Sequence, residues 1–108
     1  MTEVAAVPEA ERAVVPPVRP QLIFFYSPLS GHCRRVEGFI AQVLQHRRNH
    51  ETFELVRVSV DTHGELAAKF RIERVPTICV VERQKLRRRI AAPRGCRELA
   101  HALEPWLN

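Results

Sequence analysis

The chain has 108 residues, of which 45% are hydrophobic and 27% charged, a balance typical of one small globular domain. Its formal net charge of +5 would suit an acidic partner or nucleic acid, and charge alone does not distinguish the two. No apolar run approaches the roughly 20 residues that span a bilayer, and the N-terminus lacks a signal-peptide pattern, so we expect a cytoplasmic protein without a membrane partner.

The first segment of the chain is rich in proline. Four of the eight prolines lie within residues 1–20, and Pro16-Pro17 would stop any helix that Pro8 could begin. We therefore predict a flexible, mostly extended arm over residues 1–19, with an additional edge strand around Val14-Val15 as an option. Residues 20–108 are predicted to form the folded domain.

A buried strand followed by a turn and a helix is predicted next. Residues 21–26 form a continuous apolar run, the pattern of a strand covered on both faces. Pro28 and Gly31 interrupt it, and Ser30 is placed to cap a helix whose third residue is Cys33. The apolar face of that helix, which is predicted to end near residues 46–49, consists of Val36, Phe39, Ile40, Val43 and Leu44.

Five further elements complete the domain. We predict strands at residues 53–60, 75–81 and 85–91, the last two joined by a turn at Arg83-Gln84. A short helix is predicted at residues 62–70, and an amphipathic helix at residues 95–107. Its core-facing residues are Leu99, Leu103, Trp106 and Leu107. This order predicts an α/β fold with mixed parallel and antiparallel strand pairing.

Three separated motifs resemble the thioredoxin-like superfamily. Residues 25–33 read Phe-Tyr-Ser-Pro-Leu-Ser-Gly-His-Cys, and the catalytic domains of protein disulfide isomerase carry Phe-Tyr-Ala-Pro-Trp-Cys-Gly-His-Cys. Residues 58–70 are similar to that family's second strand and helix, and Val75-Pro76-Thr77 is similar to its cis-proline loop. The resemblance covers about residues 20–107 and implies a central mixed four-stranded sheet flanked by helices.

The departures from the family pattern lie at the positions that carry out the family's chemistry. Ser30 stands where the attacking cysteine would be, Leu29 where the tryptophan would be, and Phe24 where many members carry a buried acid. The glycines that flank the exit of the family's second helix are replaced, and Arg71 and Arg74 lie in that segment. Because a serine hydroxyl stays protonated where a thiol would ionise, ordinary dithiol turnover is not expected.

A binding module is the first of two functions that the sequence leaves open. The resemblance implies that an extended protein or peptide segment lies along the backbone of Val75 beside a cis Pro76, which requires no cysteine. The predicted substrate-binding residues are Leu29, Ser30, Gly31, His32, Val75, Pro76 and Thr77. The binding-module interpretation implies no cofactor and no metal.

A monothiol oxidoreductase in cell redox homeostasis is the second function. Cys33 would form a mixed disulfide with glutathione or a protein thiol, aided by the helix start and by His32, Arg34 and Arg35. The alternatives are that Cys33 is an inert core thiol and His32 a solvated turn residue. With no Cys-X-X-Cys pair, neither a disulfide framework nor a zinc site is expected.

The two remaining cysteines and the basic run at residues 85–89 have simpler interpretations. Cys79 lies inside a strand rich in β-branched residues and is predicted to be core, whereas Cys96 is a surface thiol or the site of an intermolecular disulfide. The basic run protects an edge strand from aggregation or forms an anion-binding patch. Nucleic acid is not the expected partner, because aromatic residues make up only 6% of the chain.

Overall fold

The computed structural model describes residues 19–107, apart from the side chains of Arg47, Arg48 and His50. The predicted arm over residues 1–19 therefore lies outside the described residues except for Arg19, and it stays a prediction. Within the described range, no helix is both long enough and apolar enough to cross a bilayer.

The described residues form four strands and three α-helices. They are β1 (Gln21–Tyr26), α1 (Gly31–Gln45), β2 (Glu54–Ser59), α2 (Gly64–Lys69), β3 (Thr77–Glu82), β4 (Lys85–Ala91) and α3 (Cys96–Leu103). The strand order is β2-β1-β3-β4, with β1 parallel to β2 and the other neighbours antiparallel. The predicted α/β class with a mixed four-stranded sheet is confirmed.

Two helix ends differ from the prediction. Helix α1 stops at Gln45, and a 3₁₀ helix follows over His46–Glu51. Helix α3 stops at Leu103 rather than at residue 107, because Pro105 has no N–H with which to continue the helical hydrogen bonds beyond Glu104. Trp106 and Leu107 still pack against the core from the turn that follows.

The core consists of two layers, one on each face of the sheet. Leu22 and Phe24 of β1 point into the layer beneath α1 and α3, which also contains Cys33. Ile23 and Phe25 point into the other layer, with Phe70 at the end of α2. Because β1 is central and covered on both faces, its sequence is uniformly apolar rather than alternating. Cys33 therefore lies in the layer on only one face of β1.

Helix α2 ends in a Schellman motif that carries arginine where glycine is favoured. Arg71 has φ 55°, its N–H donates to the Ala68 carbonyl at 3.0 Å, and the Ile72 N–H donates to the Ala67 carbonyl at 2.9 Å. We expect Arg71→Gly to raise the free energy of unfolding by about 0.5–1 kcal/mol, because glycine adopts this conformation without steric cost.

Urea denaturation of the two proteins measures this difference. Arg74→Gly is the matched control, since Arg74 does not have positive φ and the same substitution there should destabilise the chain. A lower free energy of unfolding for Arg71→Gly would contradict the account of this helix end.

Candidate functional site

The turn between β1 and α1 is held by hydrogen bonds of Ser27. The Ser27 carbonyl accepts from the Ser30 N–H at 3.1 Å, and the Ser27 hydroxyl oxygen accepts from the Leu29 N–H at 3.3 Å. The same hydroxyl donates to Asp61 Oδ2 at 3.3 Å, which ties the turn to the segment after β2. Leu29 is left 89% exposed at the tip. We call residues 27–32 the site turn.

Ser30 caps α1, as the sequence predicts. Its backbone is extended, and its Oγ accepts a hydrogen bond from the Cys33 N–H at 3.2 Å. One of the N–H groups that a helix start leaves unsatisfied is thereby paired. The hydroxyl of Ser30 therefore has a structural role that is independent of any chemistry.

Cys33 is buried at the third position of α1. It is 2% exposed, it packs in the layer that contains Phe24, and its Sγ accepts a hydrogen bond from the Ser27 N–H at 3.4 Å. Phe24 stacks on Tyr26 with ring centroids 5.4 Å apart. The layer around the thiol therefore contains Phe24, whose ring cannot accept a proton as the side chain of an acid would.

A cavity of about 230 Å³ lies beside the Cys33 thiol. Its lining residues are Phe24, Tyr26, Ser27, Pro28, Cys33, Arg34 and Glu37. Glu37, one helical turn after Cys33, contributes the carboxylate of this lining and forms an ion pair with Arg57 of β2. The cavity lies on the side of the site turn, and Cys33 itself is only 2% exposed.

The loop before β3 becomes buried where it joins the strand. The Val75–Pro76 peptide bond is cis, Pro76 is buried, and its carbonyl accepts from the Ala92 N–H at 2.8 Å. Thr77 is also buried, and its hydroxyl donates to the Arg74 carbonyl at 2.7 Å. The backbone N–H and carbonyl of half-buried Val75 are hydrogen-bonded to no described residue.

The predicted binding residues thus differ in what they offer a partner. Leu29 and Gly31 are exposed, Ser30, His32 and Val75 are half-buried, and the side chains of Pro76 and Thr77 face inward. Val75 packs against the layer that contains Cys33, which brings the Pro76 loop to the same end of the sheet as the site turn.

A third loop, at Ala92-Pro93, was missed by the sequence reasoning. The His32 Nε2–H donates to the Pro93 carbonyl at 3.3 Å, and Ala92 is bonded to Pro76 as described above. This loop therefore connects the site turn with the Pro76 loop. The available signal was a proline directly after β4, and Ala92 has φ 44°, a conformation unusual for a residue with a side chain.

The other two cysteines lie away from this site. Cys79 is fully buried as predicted, and burial raises the pKa of its thiol to about 11 although the neighbouring Arg89 acts in the opposite direction. Cys96, half-buried at the start of α3, donates from Sγ to Gln42 Oε1 at 2.8 Å. Among residues 19–107, no cluster of three or more His, Cys, Asp or Glu side chains could hold a metal ion.

The arginines of β4 make contacts within the fold. Arg88 donates to the Ala102 carbonyl at 3.0 Å and lies 5.7 Å from the centre of the Trp106 ring. Arg89 donates to the Phe70 carbonyl at 2.6 Å, and Arg87 is 4.0 Å from Glu82. Together with the bulge opposite Val80/Val81, these charged side chains agree with the edge-protection interpretation of this strand.

Comparison with known proteins gives one family. The family model described as Thioredoxin matches residues 3–105. Protein disulfide-isomerase A4 from Bos taurus is 24% identical over 88 residues, which are 82% of this chain and only 14% of that protein. The chain therefore spans about one-seventh of the length of this curated relative.

Solved structures with the same fold are more evenly matched in length. The thioredoxin of Fasciola hepatica superposes with a TM-score of 0.70 at 21% identity, covering 82% of both chains. The germline-specific thioredoxin Deadhead of Drosophila melanogaster superposes with a TM-score of 0.73 at 16% identity, covering 83% of both. At these identities the likeness establishes the thioredoxin fold and nothing finer.

Proposed function

The chain belongs to the thioredoxin family, and on that premise we propose that it is a redox-degenerate member that binds an extended protein or peptide segment. The segment lies in the groove between the site turn and the Pro76 loop. The groove residues are Leu29, Ser30, Gly31, His32, Val75, Pro76 and Thr77. The observation that carries the proposal is that the cysteine at the site is buried, whereas Leu29 is exposed and the Val75 backbone is unbonded.

The surface of the groove suits an extended segment. The unbonded N–H and carbonyl of Val75 can pair with a partner's backbone, as a strand added to a sheet edge does. Leu29 of the site turn presents an almost fully exposed apolar side chain, and burying such a side chain against a partner is favourable. Backbone pairing and an apolar anchor are together sufficient for binding without covalent chemistry.

Dithiol chemistry has no support from the residues at the site turn. The Ser30 hydroxyl oxygen accepts from the helix backbone, and no imidazole or carboxylate hydrogen-bonds to this hydroxyl within residues 19–107. Without a base, a serine is not a nucleophile that replaces a thiolate. Phe24 provides no proton acceptor for Cys33.

Replacing the apolar anchor tests the binding proposal. We expect Leu29→Asp to weaken groove-dependent peptide binding by about tenfold or more, because burying a leucine side chain contributes roughly 1.5–3 kcal/mol. Decapeptides selected on the full chain by phage display supply the ligands, and fluorescence anisotropy supplies the affinities.

Leu55→Asp is the matched control for this measurement. Leu55 is 39% exposed and is the other large hydrophobic side chain that the described surface exposes, but it lies on β2. Equal losses of affinity in the two variants would contradict a site at the site turn, as would backbone amide shifts on peptide addition that avoid residues 29–32 and 75–77.

Monothiol chemistry at Cys33 is the second candidate, and one observation favours it. The Ser27 N–H donates to Sγ, and the thiol lies in the first turn of α1, and both features stabilise a thiolate. The thiolate would attack one sulfur of oxidised glutathione, the S–S bond would break, and the departing glutathione thiolate would take a proton from water. Burial of Cys33 opposes this step, which is why binding is the function supported best.

Mass spectrometry separates the two candidates. A Cys96→Ala variant incubated with oxidised glutathione should stay unmodified at Cys33 if the protein is a binding module. Rapid glutathionylation mapped to Cys33 would instead support a monothiol oxidoreductase.

A further inference from the structure

We propose that the segment bound in the groove is acidic, with Asp or Glu residues on both sides of a short apolar centre. This inference rests on the proposed function and names the chemical class of its partner. The evidence is the distribution of unpaired arginines on or shortly after the three loops that meet at the groove.

Arginines lie in α1 shortly after the site turn and on each of the other two loops. Arg34 and Arg35 directly follow Cys33 in α1, Arg74 directly precedes Val75, and Arg94 directly follows Pro93. All four are exposed, and none forms an ion pair with a described residue. The arginines of β4, in contrast, bond to carbonyls, to Glu82 or to the face of Trp106.

The acidic residues near these loops do not neutralise them. Asp61 accepts the hydrogen bond of the Ser27 hydroxyl, and Glu98 accepts from the Arg94 backbone N–H. Glu37 is paired with Arg57. Glu73, adjacent to Arg74, is the remaining carboxylate on these loops. Four exposed arginines therefore lie close in sequence to the groove residues, and none of them has an ion-pair partner among the described residues.

The net positive charge of the chain comes mainly from one stretch of the sequence. Residues 69–97 contain ten basic and two acidic residues, so this stretch carries +8 in a chain whose total is +5. A surface of one sign attracts ligands of the opposite sign and raises their association rate. The stretch includes the Pro76 and Ala92-Pro93 loops, and it also includes the hairpin charges of Arg83 and Lys85 at the far end of β3.

Carboxylates spaced along an extended peptide fit these arginines. An arginine fork binds a carboxylate through two parallel hydrogen bonds, and an extended peptide places every second side chain on one face, about 7 Å apart. Leu29 and Val75 meet the apolar centre of the segment. Nucleic acid is the less fitting occupant, because the large hydrophobic side chains that the described surface exposes are leucines, which do not stack bases.

Two peptides with one apolar centre, flanked by glutamates in one and by glutamines in the other, test this proposal on the full chain. We expect the glutamate peptide to bind at least about tenfold more tightly at about 50 mM salt, and the preference to shrink at about 150 mM as the charges are screened. Arg74→Glu combined with Arg94→Glu should remove the preference.

Arg83→Glu combined with Lys85→Glu is the matched control. It changes the net charge equally but lies at the β3–β4 hairpin, roughly 20 Å from Pro76 along the six residues of β3. This control should keep most of the preference. Equal effects of the two double variants would overturn the inference, since the attraction would then be non-specific.

The remaining outcomes separate the inference from the proposed function. Equal affinities for the two peptides, with amide shifts at residues 29–32 and 75–77, would overturn the acidic preference and leave the groove as a binding site. Failure of both peptides to bind would count against both. Tighter binding of single-stranded oligothymidylate than of the glutamate peptide would overturn the choice of an acidic peptide as the partner.

Discussion

Replacing Ser30 by cysteine is expected to convert the protein into a dithiol that forms an intrachain disulfide with Cys33. Ser30 caps α1, and its side-chain oxygen lies 3.2 Å from the Cys33 backbone nitrogen. A thiol placed at position 30 therefore lies beside the backbone N–H groups that begin the helix. The N-terminal end of a helix stabilises a thiolate. Cys33, which has no partner for disulfide exchange in the native chain, would then act as the resolving thiol.

The expected gain is large because a second thiol in the same molecule resolves a mixed disulfide without diffusion. With dithiothreitol as reductant, Ser30→Cys should accelerate insulin reduction by about tenfold or more over the unaltered protein. The new thiolate breaks an insulin disulfide, Cys33 releases the reduced insulin chain as the protein disulfide forms, and dithiothreitol restores the dithiol. Turbidity of the released insulin chains measures the rate.

Two controls isolate the dithiol. Ser30→Cys combined with Cys33→Ala keeps the new thiol but cannot form the disulfide, so it should lose the acceleration. Ser30→Ala removes the cap without adding a thiol and should lower the free energy of unfolding by about 1 kcal/mol. If the Ser30→Cys protein keeps both thiols in oxidised glutathione, the geometry of the site turn is wrong for a dithiol and the prediction fails.

The fold could be predicted from the sequence because its strongest elements carry local signals. The apolar run of β1 indicated a strand covered on both faces, and the 3.6-residue repeat of α1 indicated its buried stripe. The turn at Arg83-Gln84 was placed correctly although both residues have positive φ, which usually selects asparagine or glycine. The turn lies between the apolar run that ends at Val81 and the basic run that begins at Lys85.

The end of α3 shows where local signals fail. Leu103, Trp106 and Leu107 continue the helical repeat, yet the backbone leaves the helix after Leu103 and the last two residues reach the core from a turn. A repeat records which side chains are buried, and a turn can bury the same side chains as a helix. Pro105 was the signal that the helix would end early.

The candidate site could be predicted only where it is local. The cap of Ser30 involves residues three apart, and the sequence indicated it. The bond from His32 to Pro93 joins residues 61 positions apart, and the burial of Cys33 depends on packing between β1, α1 and α3. Interactions of this kind depend on the tertiary arrangement, so no window of sequence contains them.

Removing the ring of Phe24 is expected to have the largest effect on stability and to open a path to Cys33. Phe24 is buried in the same layer as the thiol and lines the cavity of about 230 Å³ beside it. Phe24→Ala should lower the free energy of unfolding by about 3–5 kcal/mol, since the lost contacts and the enlarged cavity both cost stability. Cys33 should also become alkylated faster by iodoacetamide in the folded protein.

Phe25→Ala separates the two effects. Phe25 is the next residue of β1 and is buried to the same degree, but its ring packs on Phe70 on the opposite face of the sheet. Both variants should lose similar stability, so alkylation through global unfolding should rise equally in both. Any additional acceleration in Phe24→Ala, measured in a Cys96→Ala background, then reports access through the enlarged cavity. Equal acceleration in the two variants would mean that Cys33 is reached only by unfolding, which would contradict the role of Phe24 as its cover and remove the monothiol candidate.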